Sequence, residues 1–176
     1  MNFKDTLNLY AKYNMQANAD MLRILGTLPD SRLGEAVGSY YKTLAGLLDH
    51  GLRSTLASMK RVSDAGLLPE LLPTLLASLP QPPAGSSTFT TLSEFASLRT
   101  RADEALVALC AAARESDLEK TTTFLGRDKQ PRTIACGGNL LALFTHEIHH
   151  RGGVSTILDG WGVENDWSSL MRFLFL

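Results

Sequence analysis

Histidines are the residues of this sequence most able to do chemistry, because only four occur in 176 residues and three of them lie within five positions. They are His50, His146, His149 and His150. Each residue of an α-helix advances about 100°, so His146 and His150 would lie one turn apart on the same face. Zinc and related ions need three or four protein ligands. The pair therefore predicts a metal site only if a third ligand comes from elsewhere in the chain.

The apolar face of the predicted helix distinguishes these histidines from one another. His146 and His150 fall at the edge of that face, whereas His149 falls roughly opposite it and is the poorer ligand candidate. The face consists of apolar residues at helical spacing: Leu140, Leu141, Leu143, Phe144, Ile148, Val154, Ile157 and Leu158. A histidine pair alone is no better evidence for a metal site than for two surface or core-edge histidines.

His50 is the only other histidine that could complete such a site, and its position in the fold is ambiguous on periodicity alone. It lies away from the main apolar arc of its own helix, on a strip of small residues that includes Thr43, Gly46, Ser54 and Ala57. Such a strip either faces solvent or forms the wall of a polar cavity. The spacing leaves both interpretations open.

The same segment also matches H-E-x-x-H, in which two histidines bind zinc and the glutamate is the general base of a metalloprotease. The match runs from His146 to His150, but no third histidine follows at the metzincin spacing. Glu164 could be a third ligand only if the chain turned back after Gly160. On the helix Glu147 falls inside the apolar arc near Arg151, which favours a partly buried ion pair over a catalytic base. We rank the protease hypothesis below the three-histidine site.

Four stretches of helical periodicity must position these side chains. The first runs from Phe3 to Leu28, and the second runs from about Ser39 to Val62. A capping box at Thr91–Glu94 begins the third helix, in which the hydroxyl and the carboxylate satisfy free backbone N–H groups. The fourth helix, which carries three of the histidines, runs from near Gly138 to Leu158.

The connections between these helices complete the predicted fold. Residues 66–90 are rich in leucine and then in proline, which predicts a long crossing connection. Thr121–Thr133 is rich in threonine and predicts a short extended hairpin rather than a helix, although the connection could also be a loop. Asp166 or Ser168 could cap a short last helix. We therefore expect one all-α domain over residues 1–176. It is an up-down-down-up four-helix bundle with a long connection between helices 2 and 3 and a short extra C-terminal helix.

Composition excludes several classes of protein. Seventeen basic and 18 acidic side chains give a net charge of -1, which is not the footprint of a nucleic-acid-binding protein. No segment approaches the ~20 apolar residues of a membrane span, and the first residues lack the apolar stretch of a signal peptide. Cys110 and Cys136 have no metal-type or redox-type spacing, which predicts two buried free thiols. We expect a cytoplasmic protein that binds neither nucleic acid nor membrane.

The closing segment predicts self-association. Leu170–Leu176 is too apolar to be left in water, and a four-helix bundle has limited groove in which to hide it. We therefore expect a homodimer.

Three segments resemble the DinB/YfiT-like family of four-helix metalloproteins, and together they extend along nearly the whole chain. The first resembles the family's Y-N-x-W-A-N helix and its L-P-D end, the second its ligand-bearing second helix, and the third its H-x-x-x-H-R-G-Q helix. Gln16 and Gly153 depart from the pattern, which has Trp and Gln there. The three segments are Tyr13–Asn18 with Leu28–Asp30, Gly38–Leu44 with Leu48–His50, and His146–Gly152 with Leu158–Gly162.

The resemblance implies that His50, His146 and His150 are the ligands of one divalent metal ion, with His149 outside the set. Imidazole suits zinc, nickel, copper and iron, and zinc or nickel is our first expectation. Three neutral imidazoles leave at least one open position, at which the ion could activate a water or a thiol.

The resemblance also implies a function. Characterised relatives include thiol-dependent S-transferases and maleylpyruvate isomerases that use low-molecular-weight thiols. We therefore expect a metal-dependent enzyme that acts on a small-molecule substrate, as a thiol S-transferase or a hydrolase, with a low-molecular-weight thiol as a further candidate cofactor. The alternative is a non-catalytic metal-binding or stress-associated protein. Asp49 and Glu147 are the nearest carboxylates in sequence, and neither is assigned as a general base.

Overall fold

The computed structural model of the chain describes residues 2–80, 83, 86–126, 128–167 and 169–174. This part of the chain is mostly helical and includes one two-stranded sheet. The α-helices are α1 (Phe3–Leu25), α2 (Leu44–Asp64), α3 (Leu72–Ala77), α4 (Leu92–Ala112), α5 (Glu115–Leu118) and α6 (Cys136–Gly160). The strands are β1 (Thr121–Leu125) and β2 (Pro131–Ala135), and the 3-10 helices are Asp30–Gly34 and Leu170–Phe173.

The start of α2 differs from the prediction. The side chain of Thr43 caps the helix by accepting a hydrogen bond from the Gly46 N–H at 3.1 Å, so α2 begins at Leu44 and not near Ser39. The chain before the cap forms a tight turn that is closed by a β-bridge between Ala36 and Thr43. Periodicity extended the helix too far because apolar residues of this turn happen to continue the helical spacing.

The other long helices agree better with the prediction. The capping box of α4 is confirmed, since the Glu94 N–H donates to Thr91 Oγ1 at 3.1 Å and the Thr91 N–H donates to the Glu94 carboxylate at 3.3 Å. α6 spans Cys136–Gly160 and includes all three histidines of that segment. α1 ends at Leu25, before the predicted end at Leu28.

The four long helices enclose one continuous apolar core. α1 packs against α4 and α6, and α2 packs against α6 and α4. Side chains such as Leu52, Phe95, Leu106 and Phe144 are almost fully buried in this core. Because α2 and α6 are neighbours, His50 lies opposite the histidines of α6.

The connections place further side chains around that helix pair. The predicted connection 66–90 contains the short helix α3, and residues 81, 82, 84 and 85 of its proline-rich part lie outside the described residues. Of the two forms expected for the connection before α6, a hairpin or a loop, the hairpin is confirmed, with Thr121 opposite Ala135 and Leu125 opposite Pro131. Its strands pack against α2 and α6.

The predicted last helix is a 3-10 helix. Its Phe173 ring packs edge-on against Tyr13 of α1, with 6.0 Å between ring centroids. Ser169 occupies the N-cap position of this helix, and its side chain makes no capping hydrogen bond, so the predicted cap Asp166 is not at the N-cap. The Asp166 carboxylate lies 3.6 Å from the guanidinium of Arg172 instead. The other predicted cap, Ser168, lies outside the described residues, as do positions 175 and 176.

Two predictions from composition can be compared with the structure. Cys110 and Cys136 are both buried and free, as predicted. In the part of the chain that the structure describes, no helix is long and apolar enough to span a bilayer.

Candidate metal centre

α2 and α6 bring together three of the four histidines. Nε2 of His146 lies 3.1 Å from Nε2 of His50 and 2.9 Å from Nε2 of His150. One ligand atom from each of the three residues lies within 4.8 Å of the other two. His149 is exposed and is not part of this group, although its ring centroid is 4.9 Å from that of His150.

The arrangement of the three imidazoles fits a divalent metal ion. A tetrahedral zinc ion with Zn–N bonds of 2.0–2.1 Å holds its nitrogen ligands about 3.3 Å apart, close to the observed separations of 2.9 and 3.1 Å. A single imidazole nitrogen carries either one proton or one lone pair, so Nε2 of His146 cannot form an ordinary hydrogen bond with each neighbour. Three nitrogens that converge in this way are arranged as metal ligands are.

His150 is the most deeply placed of the three and is 7% exposed. Burial, together with the positive charge that His146, His50 and His149 would add, lowers the pKa of His150 to about 4. Metal ions bind the neutral imidazole, so His150 is in its ligand form throughout the neutral pH range.

Tyr41 covers one side of the histidine cluster, and sequence reasoning assigned it no role. Its ring centroid lies 4.7 Å from that of His50 and 5.3 Å from that of His150. Lys42 has a φ of 66°, which turns the chain sharply after Tyr41. A Cβ on Gly46 would collide with the Tyr41 carbonyl oxygen, so glycine is required for this close approach. In the sequence, the signal for this contact was Gly46 itself, a glycine within a predicted helix.

Glu147 is committed to the core next to the cluster. The Thr55 hydroxyl donates to its Oε1 at 2.7 Å, and Nη1 of Arg99 lies 3.5 Å from the carboxylate. Glu147 is 4% exposed. The predicted ion pair between Glu147 and Arg151 is wrong, because helical spacing compares residues of one helix only and Arg99 reaches the carboxylate from α4.

Arg151 bonds to α1 instead. Its Nη1 donates to the side-chain oxygens of Asn14 and Asn18, and both of these amides donate to Asp103. Asp103 forms an ion pair with Arg99 at 2.7 Å, and burial, which Arg99 only partly offsets, raises the pKa of Asp103 to about 6. Together with Thr55 and Glu147, these side chains connect all four long helices. We call this group the buried polar network; its members are Asn14, Asn18, Thr55, Arg99, Asp103, Glu147 and Arg151.

The Asp49 carboxylate also makes structural hydrogen bonds. It accepts hydrogen bonds from the backbone and hydroxyl of Thr88 at 2.7 and 2.6 Å and from Arg53 at 2.7 Å. Burial opposes its ionisation, but these hydrogen bonds outweigh burial and hold the pKa of Asp49 below its usual value. Asp49 therefore fastens the long connection to α2.

A cleft of about 400 Å³ opens beside His146, between α2, α6 and the hairpin. Ser54 and Ala57 line it, so this end of the strip of small residues near His50 forms the wall of a cavity, one of the two interpretations that the spacing left open. The cleft is lined by Arg53, Ser54, Ala57, Ser58 and Arg61 of α2, Asn139, Ala142, Leu143 and His146 of α6, and Phe124 and Ile134 of the hairpin.

The fold and the site define a mostly helical protein with a three-histidine cluster that could hold a metal ion. The sequence model of the DinB family matches residues 1–176, which is the whole chain, and the chain belongs to the DinB family. The family resemblance noted in the sequence is thereby confirmed. A search of curated proteins finds no match to this chain.

Proposed function

We propose that the protein binds one divalent metal ion through His50, His146 and His150 and is a metal-dependent enzyme that acts on a small molecule. The proposal rests on the convergence of three imidazole Nε2 atoms, one of which belongs to His146, a residue that lines the cleft. Zinc and nickel are the ions we propose first, since both accept imidazole ligands.

The bound ion would act as a Lewis acid and activate a thiol or a water as the nucleophile. The protein's own contribution is positional. His150 is buried and neutral, Tyr41 covers the cluster, and the cleft admits a small molecule from the side of His146.

Of the two reaction types, we favour S-transfer to a small electrophile over hydrolysis. A free thiol has a pKa of about 8.5 and water one of about 15.7, so a thiol depends less on a general base for its ionisation at the metal. The two carboxylates nearest in sequence to the ligands, Asp49 and Glu147, are both engaged in structural hydrogen bonds. The buried position of Glu147 also argues against an H-E-x-x-H protease, whose glutamate must face the metal-bound water.

A conjugation assay tests the proposal. Protein stripped of metal, then reloaded with zinc or nickel, is mixed with cysteine as the thiol and 1-chloro-2,4-dinitrobenzene as the electrophile. We expect the metal-loaded protein to accelerate thioether formation, and we expect metal-free protein and His146→Ala to show the uncatalysed rate. A fully loaded protein without acceleration for any thiol or ester substrate would contradict an enzymatic role.

We further propose that the long helices form a single up-down-down-up four-helix bundle and that the protein is a cytoplasmic homodimer. Two buried free cysteines support a reducing compartment. Met171 and Leu174 are 54% and 47% exposed, which supports burial of the last segment against a second copy. Light scattering at micromolar concentration tests the dimer, and a mass near 19.2 kDa would contradict it.

A further inference from the structure

The cleft beside the histidine cluster has a cationic end. Arg61 lies on α2 about three turns after His50, roughly 16 Å along the helix axis. Its guanidinium carbon lies 4.3 Å from the centre of the Phe124 ring, and the side chain lines the cleft. The cleft therefore runs from His146 at one end to a stacked arginine at the other.

Arg61 differs from the other charged side chains around the cleft. Among the described residues it forms no ion pair, and none of those that line the cleft is acidic. The neighbouring charges are neutralised by partners at 2.7–2.9 Å, in the pairs Arg53 with Asp49, Lys60 with Asp64, and Arg132 with Asp128. Of the two described arginines that line the cleft, Arg61 is thus the one without an ion pair.

The wall between the two ends is largely apolar. Phe124, Ile134 and Leu143 face the cleft together with the small residues Ala57 and Ala142. Its volume of about 400 Å³ lies within the range of small-molecule sites, which is roughly 300–1,000 Å³. An apolar body fits this wall, and a group with negative charge fits the planar donor fork of an arginine that is already held against an aromatic ring.

We propose that the cleft binds an apolar small molecule that carries a carboxylate or a phosphate, with the anionic group on Arg61 and the reacting group at the His146 end. The statement about the reacting group rests on the proposed function. The statement about anion binding does not, because Arg61 and the apolar wall are present without a metal ion. The two can therefore fail separately.

The experiment uses 4-phenylbutyrate and its neutral amide, 4-phenylbutyramide, titrated calorimetrically into metal-free and zinc-loaded protein. We expect the acid to bind at least tenfold more tightly than the amide in both forms. Arg61→Gln should weaken the acid about tenfold and leave the amide unchanged. Lys60→Gln is the matched control, since it removes the same charge from the adjacent, outward-facing position and should change neither affinity.

Three results would overturn the proposal. The first is equal affinity for the acid and the amide in the wild type, and the second is an unchanged preference for the acid in Arg61→Gln. If Arg61→Gln loses both probes because the hairpin shifts, Arg61→Met decides, since its flexible stem still packs on Phe124. Arg61→Met should lose the preference for the acid and keep the amide; retained preference, or loss of both probes, is the third contradicting result. Zinc stoichiometry, measured beside these titrations, shows independently whether the proposed metal site exists.

Discussion

The buried polar network and the cleft both lie next to the histidine cluster, and both contain arginine side chains, but in different environments. In the buried polar network, Arg99, Asp103, Glu147 and Arg151 are each at most 4% exposed, and the two positive side chains balance the two negative ones. Every one of them has a hydrogen-bonding partner on another helix. A buried charge without a partner costs several kcal/mol, so each charged group of this network needs a partner within the network.

The cleft lies beside His146 of the cluster, and the positive charge of Arg61 in its wall is available to a ligand. Arg61 is only half-buried, so water can solvate it until a ligand arrives. The same residue type therefore positions helices in one region and offers a binding group in the other. Burial and tertiary partners therefore distinguish the two roles of arginine, whereas spacing in the sequence does not.

The largest expected effect comes from breaking the buried polar network. Arg99→Met removes the cation between Asp103 and Glu147 and leaves two carboxylates buried without it. We expect the free energy of unfolding to fall by about 3–5 kcal/mol. Urea unfolding measures this change. Arg101→Met, on the exposed face of α4, is the control and should cost less than about 1 kcal/mol. Equal losses in the two variants would mean that the network does not hold the helices together.

A smaller effect is expected where Tyr41 approaches α2. Gly46→Ala introduces a methyl group that collides with the Tyr41 carbonyl, and we expect it to lower the free energy of unfolding by about 1–3 kcal/mol. The control is Gly152→Ala on α6, where a Cβ meets no atom within 4 Å, among the described residues, outside its own helix turn and chain neighbours. There, alanine should stabilise the helix by up to about 1 kcal/mol. Thermal unfolding distinguishes the opposite signs, and destabilisation by both changes would count against the steric explanation.

An effect confined to acid pH is expected in the metal-free protein. An unfolded histidine takes up its proton near pH 6.5, whereas burial keeps the pKa of His150 at about 4 in the folded state. Between these values the unfolded state binds more protons, so stability should fall as the pH drops from about 6.5 to about 4. Urea unfolding at pH 7 and pH 5 tests this, with His150→Gln as the comparison. An equal pH dependence in both proteins would contradict the assignment.

The features that the sequence predicted correctly depend on local geometry. The capping box at Thr91 and the shared face of His146 and His150 follow from residues within one helical turn of each other. The exposed position of His149 follows from the same wheel. Local rules suffice there because no other part of the chain is needed to decide the outcome.

The features that the sequence missed depend on which helices are neighbours. The carboxylate of Glu147 pairs with Arg99 from another helix, which spacing within α6 could not reveal. The contact between Arg61 and the Phe124 ring depends on how the hairpin packs against α2, which the sequence pattern does not show. His50 was assigned by family resemblance alone, and the structure adds that Ser54 and Ala57 of its strip of small residues line a cleft.

Metal stoichiometry of single variants tests whether His50, His146 and His150 hold the metal ion. Wild-type protein, the alanine variant of each of the four histidines, and Glu147→Gln are loaded with zinc, analysed for metal content and checked for helicity by circular dichroism. We expect about one ion per chain in the wild type, His149→Ala and Glu147→Gln, and loss of most metal from His50→Ala, His146→Ala and His150→Ala with helicity retained. Full occupancy in His50→Ala together with an empty site in His149→Ala would contradict the claim.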